Sequence, residues 1–165
     1  MSNVARVEPV PGTESESLYQ RVLAHCPEFA ERWSAASRTL RFSGNLPPEL
    51  KEEVRRSTAE QVGCRFCASF GDPKAEHTDE REALAVRLAR TVAEDPKLVD
   101  DAFFDELRRC FTDEELVELV ALISFVVVGG QTFGAVLGIE PASAEYVLAY
   151  EEWLEQSMAS ARQIA

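Results

Sequence analysis

The chain has 165 residues, 45% hydrophobic and 28% charged, the composition of one globular domain long enough to bury a core. It carries 17 Lys and Arg against 29 Asp and Glu, a net charge of -12. That balance argues against nucleic acid as a partner, because phosphate binding needs clustered cations, and against docking on an anionic membrane.

Residues 1–14 are polar, with Pro9, Pro11 and Gly12, and read as a flexible arm ahead of one domain over 15–165. No basic, apolar and cleavable pattern marks a signal peptide, so a cytoplasmic protein is expected. From Ser17 the pattern turns helical. Leu18, Val22 and Cys26 share a face, Pro27 interrupts, and Phe29, Trp33, Ala36 and Leu40 continue at helical spacing. Cys26 belongs to that stripe and is expected to be a buried structural thiol. Gly44 breaks the chain in a turn over 42–45. Leu46-Pro47-Pro48-Glu49 then starts a helix that runs to about Val62, with Gly63 as its terminator.

A short helix begins at or just before Cys64 and breaks at Gly71-Asp72-Pro73. Thr78 is the expected cap of the next helix, whose apolar face carries Leu84, Leu88 and Val92. Asp95-Pro96 stops it and starts another, with Phe103, Phe104, Leu107 and Phe111, and with Cys110 beside that stripe in the core. Thr112 and Glu115 form a capping box before a long apolar helix that Glu140-Pro141 ends. The last helix spans about Ala142 to Met158, with Tyr146, Tyr150, Trp153 and Leu154 inward. No alternating strand pattern and no solenoid repeat appears, so the fold class is an all-α, single-domain multi-helix bundle.

Leu119 to Ile139 carries no charge and is long enough to span a bilayer. Gly130, Gly134 and Gly138 repeat the small-residue spacing of membrane helices. The flanks are acidic, basic anchors are lacking, and Ser124, Gln131 and Thr132 interrupt the run. The expected role is therefore a central helix, buried on most sides or shared with a subunit contact, whose glycines admit a close neighbour.

Four cysteines occur, at Cys26, Cys64, Cys67 and Cys110. Without a secretory pattern, the close pair Cys64-x-x-Cys67 points to redox or metal chemistry. Zinc wants four ligands, whereas Cys64, Cys67 and His77 make three, with Asp72 a weak fourth. Haem attachment needs His after the second Cys, where Ala68 stands. Two inert buried thiols are the bland reading. The redox reading has a physical basis: a helix start behind Gly63 favours a thiolate, and one sulfur one turn from the other can close a sulfenic acid into a disulfide. Glu52, twelve residues before Cys64, raises a thiol pKa by its charge but can serve as a base and then an acid. Glu53 and Glu60 are its competitors, and a solvated face is the usual fate of any Glu.

Leu46-Pro47-Pro48-Glu49-Leu50-Lys51-Glu52, Val62-Gly63-Cys64-Arg65-Phe66-Cys67, the run from Phe111 to Leu119 and Ala135-Val136-Leu137-Gly138-Ile139 together resemble the carboxymuconolactone decarboxylase superfamily, in its alkylhydroperoxidase D-like branch. The resemblance covers about two-thirds of the chain and leaves the first forty residues outside. It implies an all-α oligomer (dimer, trimer or hexamer) that needs no cofactor and no metal. It implies a peroxide or other small-molecule substrate and a dithiol protein as reductant. By position, Cys67 is the peroxide-attacking thiol, Cys64 the resolving one and Glu52 the family's Glu. The family's His four residues after the second Cys is Gly71 here, and the connection to Asp79 is shorter. His77 is then the remaining relay candidate, provided its loop folds back; a surface His is the alternative. Two other readings stay open: a non-enzymatic redox-sensing or binding oligomer on the same scaffold, and lactone-decarboxylase-like chemistry, whose branch lacks the Cys pair.

Overall fold

The computed structural model describes residues 4–12 and 16–163, and every regular element among them is helical. Ser17 and Gln20 cap α1 (Leu18–Leu23) reciprocally, and Pro27 opens α2 (Pro27–Phe42) at its first helical position. α3 (Pro48–Val62) ends at Gly63, whose φ of 81° lets the Cys64 amide reach back to the Ala59 carbonyl at 3.0 Å. The Gly63 amide bonds Glu60 in the same way, which closes the helix end and turns the chain into α4 (Arg65–Ala68). α5 (Glu80–Glu94), a 3-10 turn (Pro96–Leu98) and α6 (Asp101–Cys110) follow. α7 (Asp113–Ala121) runs through a π-helical stretch (Leu122–Val128) into α8 (Gly129–Val136), and α9 (Ala144–Arg162) completes the chain.

The main core lies between α3, α5, α6 and the α7–π stretch. Leu50 and Val54 of α3 meet Leu84, Ala85, Leu88 and Ala89 of α5, with Phe103, Leu107, Leu119, Leu122 and Ile123 closing the far side. Each fully buried leucine of this kind contributes about 1.5–3 kcal/mol of apolar transfer. Alanine at 85 and 89 presents a flat ridge on which α3 sits. A second, smaller core holds Val22, Cys64, Phe66, Phe70 and Ile139, with Tyr19, Phe133, Tyr146 and Tyr150 packed against it.

Several expectations need correcting. Cys26 is exposed, because α1 already ends at Leu23 and Cys26 lies beyond it, as the residue that precedes Pro27 at the start of α2. Within α2 no residue is fully buried, and Phe29 and Ala36 face outward. Asp79, not Thr78, caps α5: its Oδ1 accepts from the Glu82 amide at 2.8 Å. The helix with the phenylalanines starts at Asp101 behind a capping Asp100, after the 3-10 turn. Cys110 is half-buried against the main core.

The long apolar segment is helical only to Val136, and Gly138 at φ 60° leads the chain out of it. By length and composition Asp113–Val136 is able to cross a bilayer. Here its inner side is the spine of both cores. Residues 4–12 make contacts that their polar composition did not announce: Ala5 is buried, the Arg6 amide bonds Leu137 at 2.7 Å and the Glu140 amide bonds Val4 at 3.0 Å. Residues 1–3, 13 and 14 of the expected arm lie outside the described residues.

Candidate functional site

The local sequence builds the cysteine pair directly. Gly63 ends α3, so Cys64 becomes the cap of α4 and Cys67 stands one turn later. The two are joined as a disulfide, with Cα atoms 5.2 Å apart, and Cys64 Sγ also accepts from the Cys67 amide at 3.2 Å. Burial separates their roles. Cys64 is completely enclosed, whereas Cys67 is half-buried and lines a cavity of about 150 Å³ together with Tyr19, Arg41, Arg55, Gln131 and Tyr150.

α8 closes the roof. A Cβ at Gly134 would stand 2.6 Å from Cys64 Sγ and 3.7 Å from Cys67 Sγ, so only glycine lets this helix lie against the disulfide. The glycines thus admit a close neighbour as their spacing suggested, but the neighbours at Gly134 are sulfur atoms rather than another helix. Buried Gln131 ties α8 to α3, accepting from Thr58 Oγ1 at 2.8 Å and donating to the Arg55 carbonyl at 2.8 Å. Val126 and Val127, in the π-helical turn, form part of the cavity wall. Such widened turns recur at functional sites, because they re-aim side chains that a regular helix would place elsewhere.

Glu52 is 6% exposed and gathers three guanidiniums. Arg55 binds it bidentately, at 3.0 Å from Nε to Oε2 and 2.7 Å from Nη2 to Oε1. Arg56 donates to Oε1 at 3.0 Å and Arg41 to Oε2 at 3.3 Å. Burial alone would raise the Glu52 pKa, but Arg55 first, then Arg41 and Arg56, hold it below the usual carboxylate range. Burial likewise opposes the charge on Arg55, and Tyr150 and Glu52 keep its pKa above the ordinary value. Three cations face one carboxylate, so the local surplus is positive. Arg55 carries it to the cysteine pair, donating to the Cys67 carbonyl at 2.9 Å and to the Phe70 carbonyl at 3.0 Å. Tyr150 takes a hydrogen bond from Arg41 at 2.5 Å and points its own hydroxyl at Glu52 Oε2, 3.5 Å away. Burial pushes the Tyr19 phenol up, so it stays a donor, here to the Gly130 carbonyl at 3.0 Å.

Cys64, Cys67 and Glu52 are therefore brought together, the last through Arg55, and His77 is not. Its Nε2 lies 2.8 Å from Glu53 Oε1, which also accepts from the Lys74 amide at 2.9 Å. Glu53 points away from Glu52 because adjacent helical residues diverge by about 100°. His77 and Glu53 pin the 71–79 connection to α3. Gly71 sits at φ 102°, where a Cβ would meet Arg56 Cζ at 3.2 Å, so Arg56 fills the space beside it. The set considered for zinc is not assembled, and no three His, Cys, Asp or Glu side chains gather as a metal site among the described residues.

Arg41, Arg55, Arg56, Tyr150, Gln131 and Gly134 were not singled out for the site from sequence. Glu52-x-x-Arg55-Arg56 does carry a signal, since positions three and four apart are helix neighbours. An inward Tyr150 also signals a polar partner, because a buried phenol needs one. Arg41 arrives from a different helix and leaves no local trace. No family model, no curated protein and no solved structure matches this chain.

Proposed function

We propose that the protein is a thiol-dependent peroxidase and disulfide oxidoreductase, working through Cys67 and Cys64. The observation that carries this reading is the asymmetry of the pair: a cavity-lining Cys67 joined to an enclosed Cys64, beside an arginine cluster. In the reduced protein the positive surplus favours a thiolate at Cys67. The thiolate attacks the outer oxygen of a hydroperoxide; an S–O bond forms, the O–O bond breaks, and the departing alkoxide takes a proton from the Tyr150 side of the cavity. The Cys64 thiol then attacks the sulfenic sulfur, forming the disulfide and releasing water. One peroxide is reduced to alcohol and water and two thiols are oxidised. A dithiol protein restores them by exchange, attacking the more accessible sulfur of Cys67.

Glu52 is a positioning residue in this scheme. Its depressed pKa keeps it ionised at neutral pH, so it anchors Arg41, Arg55 and Arg56 and does not donate the proton. The relay runs without His77. The reading places the protein in the cytoplasm, where thiols are kept reduced. It includes self-association, because Val117 (71% exposed), Phe125 (67%) and Val136 (58%) leave an apolar stripe on the outer side of the central helix.

The test is peroxide consumption by the reduced protein with a dithiol donor. Wild type turns over, Cys67→Ser does not react, and Cys64→Ser reacts once and stops at the sulfenic acid. A reduced protein that consumes no peroxide ends the enzyme reading. A second reading, a redox-responsive protein without turnover, is favoured by Gly71 and Arg56 standing where the family has a relay His. It predicts a disulfide that forms with peroxide but cycles with no dithiol reductant.

A further inference from the structure

A second and larger cavity, about 450 Å³, lies outside the cysteine chamber between α1, α2, α4 and α9. Its volume is in the range of small-molecule sites. The chain has two tryptophans and three tyrosines, and all five line this one space: Trp33, Trp153, Tyr19, Tyr146 and Tyr150. Aromatic side chains that border a space provide flat apolar walls with polar edges.

The charge of the wall is equally selective. The chain has a net charge of -12, yet the lining includes Arg38 and Arg41 and no carboxylate. Arg41 is committed to Glu52 and Tyr150, and its guanidinium lies over the Trp153 ring at 5.2 Å. Arg38 makes no hydrogen bond or ion pair with any described residue. It stands one turn after Ser34, and Ser37 stands one turn before Arg41, so α2 presents two Ser–Arg pairs to the cavity. Five residues of this 16-residue helix, none of them fully buried, line the cavity, while Leu40 packs against the main core. The inner chamber shares Tyr19, Trp33, Arg41 and Tyr150 with the larger one, so the two adjoin across these side chains.

We infer that this cavity is a binding site for an amphipathic organic carboxylate, with its acid group on Arg38 and Ser34 and its apolar body between the tryptophans and tyrosines. Binding needs no step at the thiols, so it is tested on the oxidised chain and stands or falls apart from peroxidase activity.

Both tryptophans line the site, so their fluorescence reports occupancy. Phenylbutyrate and its uncharged amide, phenylbutyramide, are titrated into the full oxidised protein. The acid is expected to change the tryptophan emission saturably and to bind about tenfold or more tighter than the amide, the difference a charge-assisted hydrogen bond supplies. Arg38→Gln, at an exposed position that threatens no fold, brings the acid to the level of the amide and leaves the amide unchanged. Cys64→Ser with Cys67→Ser leaves both affinities unchanged. Equal affinities of acid and amide overturn the inference, as does undiminished acid binding by Arg38→Gln or the absence of any saturable change. Loss of peroxide consumption with acid binding intact refutes the proposed function alone.

Discussion

Gly134→Ala puts the packing of the site to a quantitative test. The new Cβ would stand 2.6 Å from Cys64 Sγ, closer than real Cβ contacts come, and Cys64 is fully buried and bonded to Cys67. Overfilling a packed site in this way costs about 1–3 kcal/mol. Against it runs the helix preference for alanine over glycine, about 1 kcal/mol in favour of the variant. The net change in the wild-type background is therefore a loss of up to about 2 kcal/mol. In a Cys64→Ala background that sulfur is gone, and the next neighbours, Tyr19 Cε2 at 3.5 Å and Cys67 Sγ at 3.7 Å, are ordinary contacts. There the same substitution is neutral or stabilising by about 1 kcal/mol. The coupling between the two positions is then about 1–3 kcal/mol, read from urea denaturation of the four proteins as a double-mutant cycle. Each kcal/mol also moves Tm by about 2–4 °C at this chain length. Effects that add to within about 0.5 kcal/mol would refute the reasoning, since Cys64 would then not be what the added carbon meets.

Glu52→Ala leaves Arg55 and Arg41 without their buried counter-charge and is expected to cost about 3–5 kcal/mol in urea denaturation; a loss of under about 1 kcal/mol would refute the anchoring role. The folded Glu52 pKa is depressed, so its contribution is fully present above the ordinary carboxylate value of 4.5 and is lost as pH falls through the lower folded value. Acid titration of wild type should show that loss and Glu52→Gln should lack it. After mild reduction, iodoacetamide labels Cys67 before the enclosed Cys64, while exposed Cys26 labels whether or not the pair is reduced, as peptide mass mapping will show. His77→Gln leaves the Cys67 labelling rate unchanged but raises amide exchange across 72–78, because it loosens the clamp on Glu53 and leaves the thiol chamber alone; slower labelling would return His77 to the site.

The helices were legible where local chemistry decides them. Ser17, Gly63, Asp95-Pro96 and the Thr112–Glu115 box mark their ends by caps and breakers that act within a few residues. The cysteine pair was legible for the same reason, since Gly63 and the one-turn spacing are both local. Cys26 was misread because the Leu18–Val22 stripe was carried past Leu23, where α1 ends. The π-helical turn at Leu122–Val128 was invisible, since an apolar run has the same composition whether its turns are regular or widened.

The sequence by itself determined an all-helical chain with a dithiol at the start of a short helix and a carboxylate on the helix before it. Those features depend on spacing, capping and backbone freedom, which neighbours along the chain supply. Tertiary structure alone decided which groups meet. It put Arg41 from α2 and Tyr150 from α9 onto Glu52, Gly134 from α8 onto Cys64, and His77 onto Glu53. It also enclosed one sulfur and left the other at a cavity. These partners, up to 98 residues apart, are chosen by how helices pack and by which buried charges must be paired, and no local pattern encodes that choice.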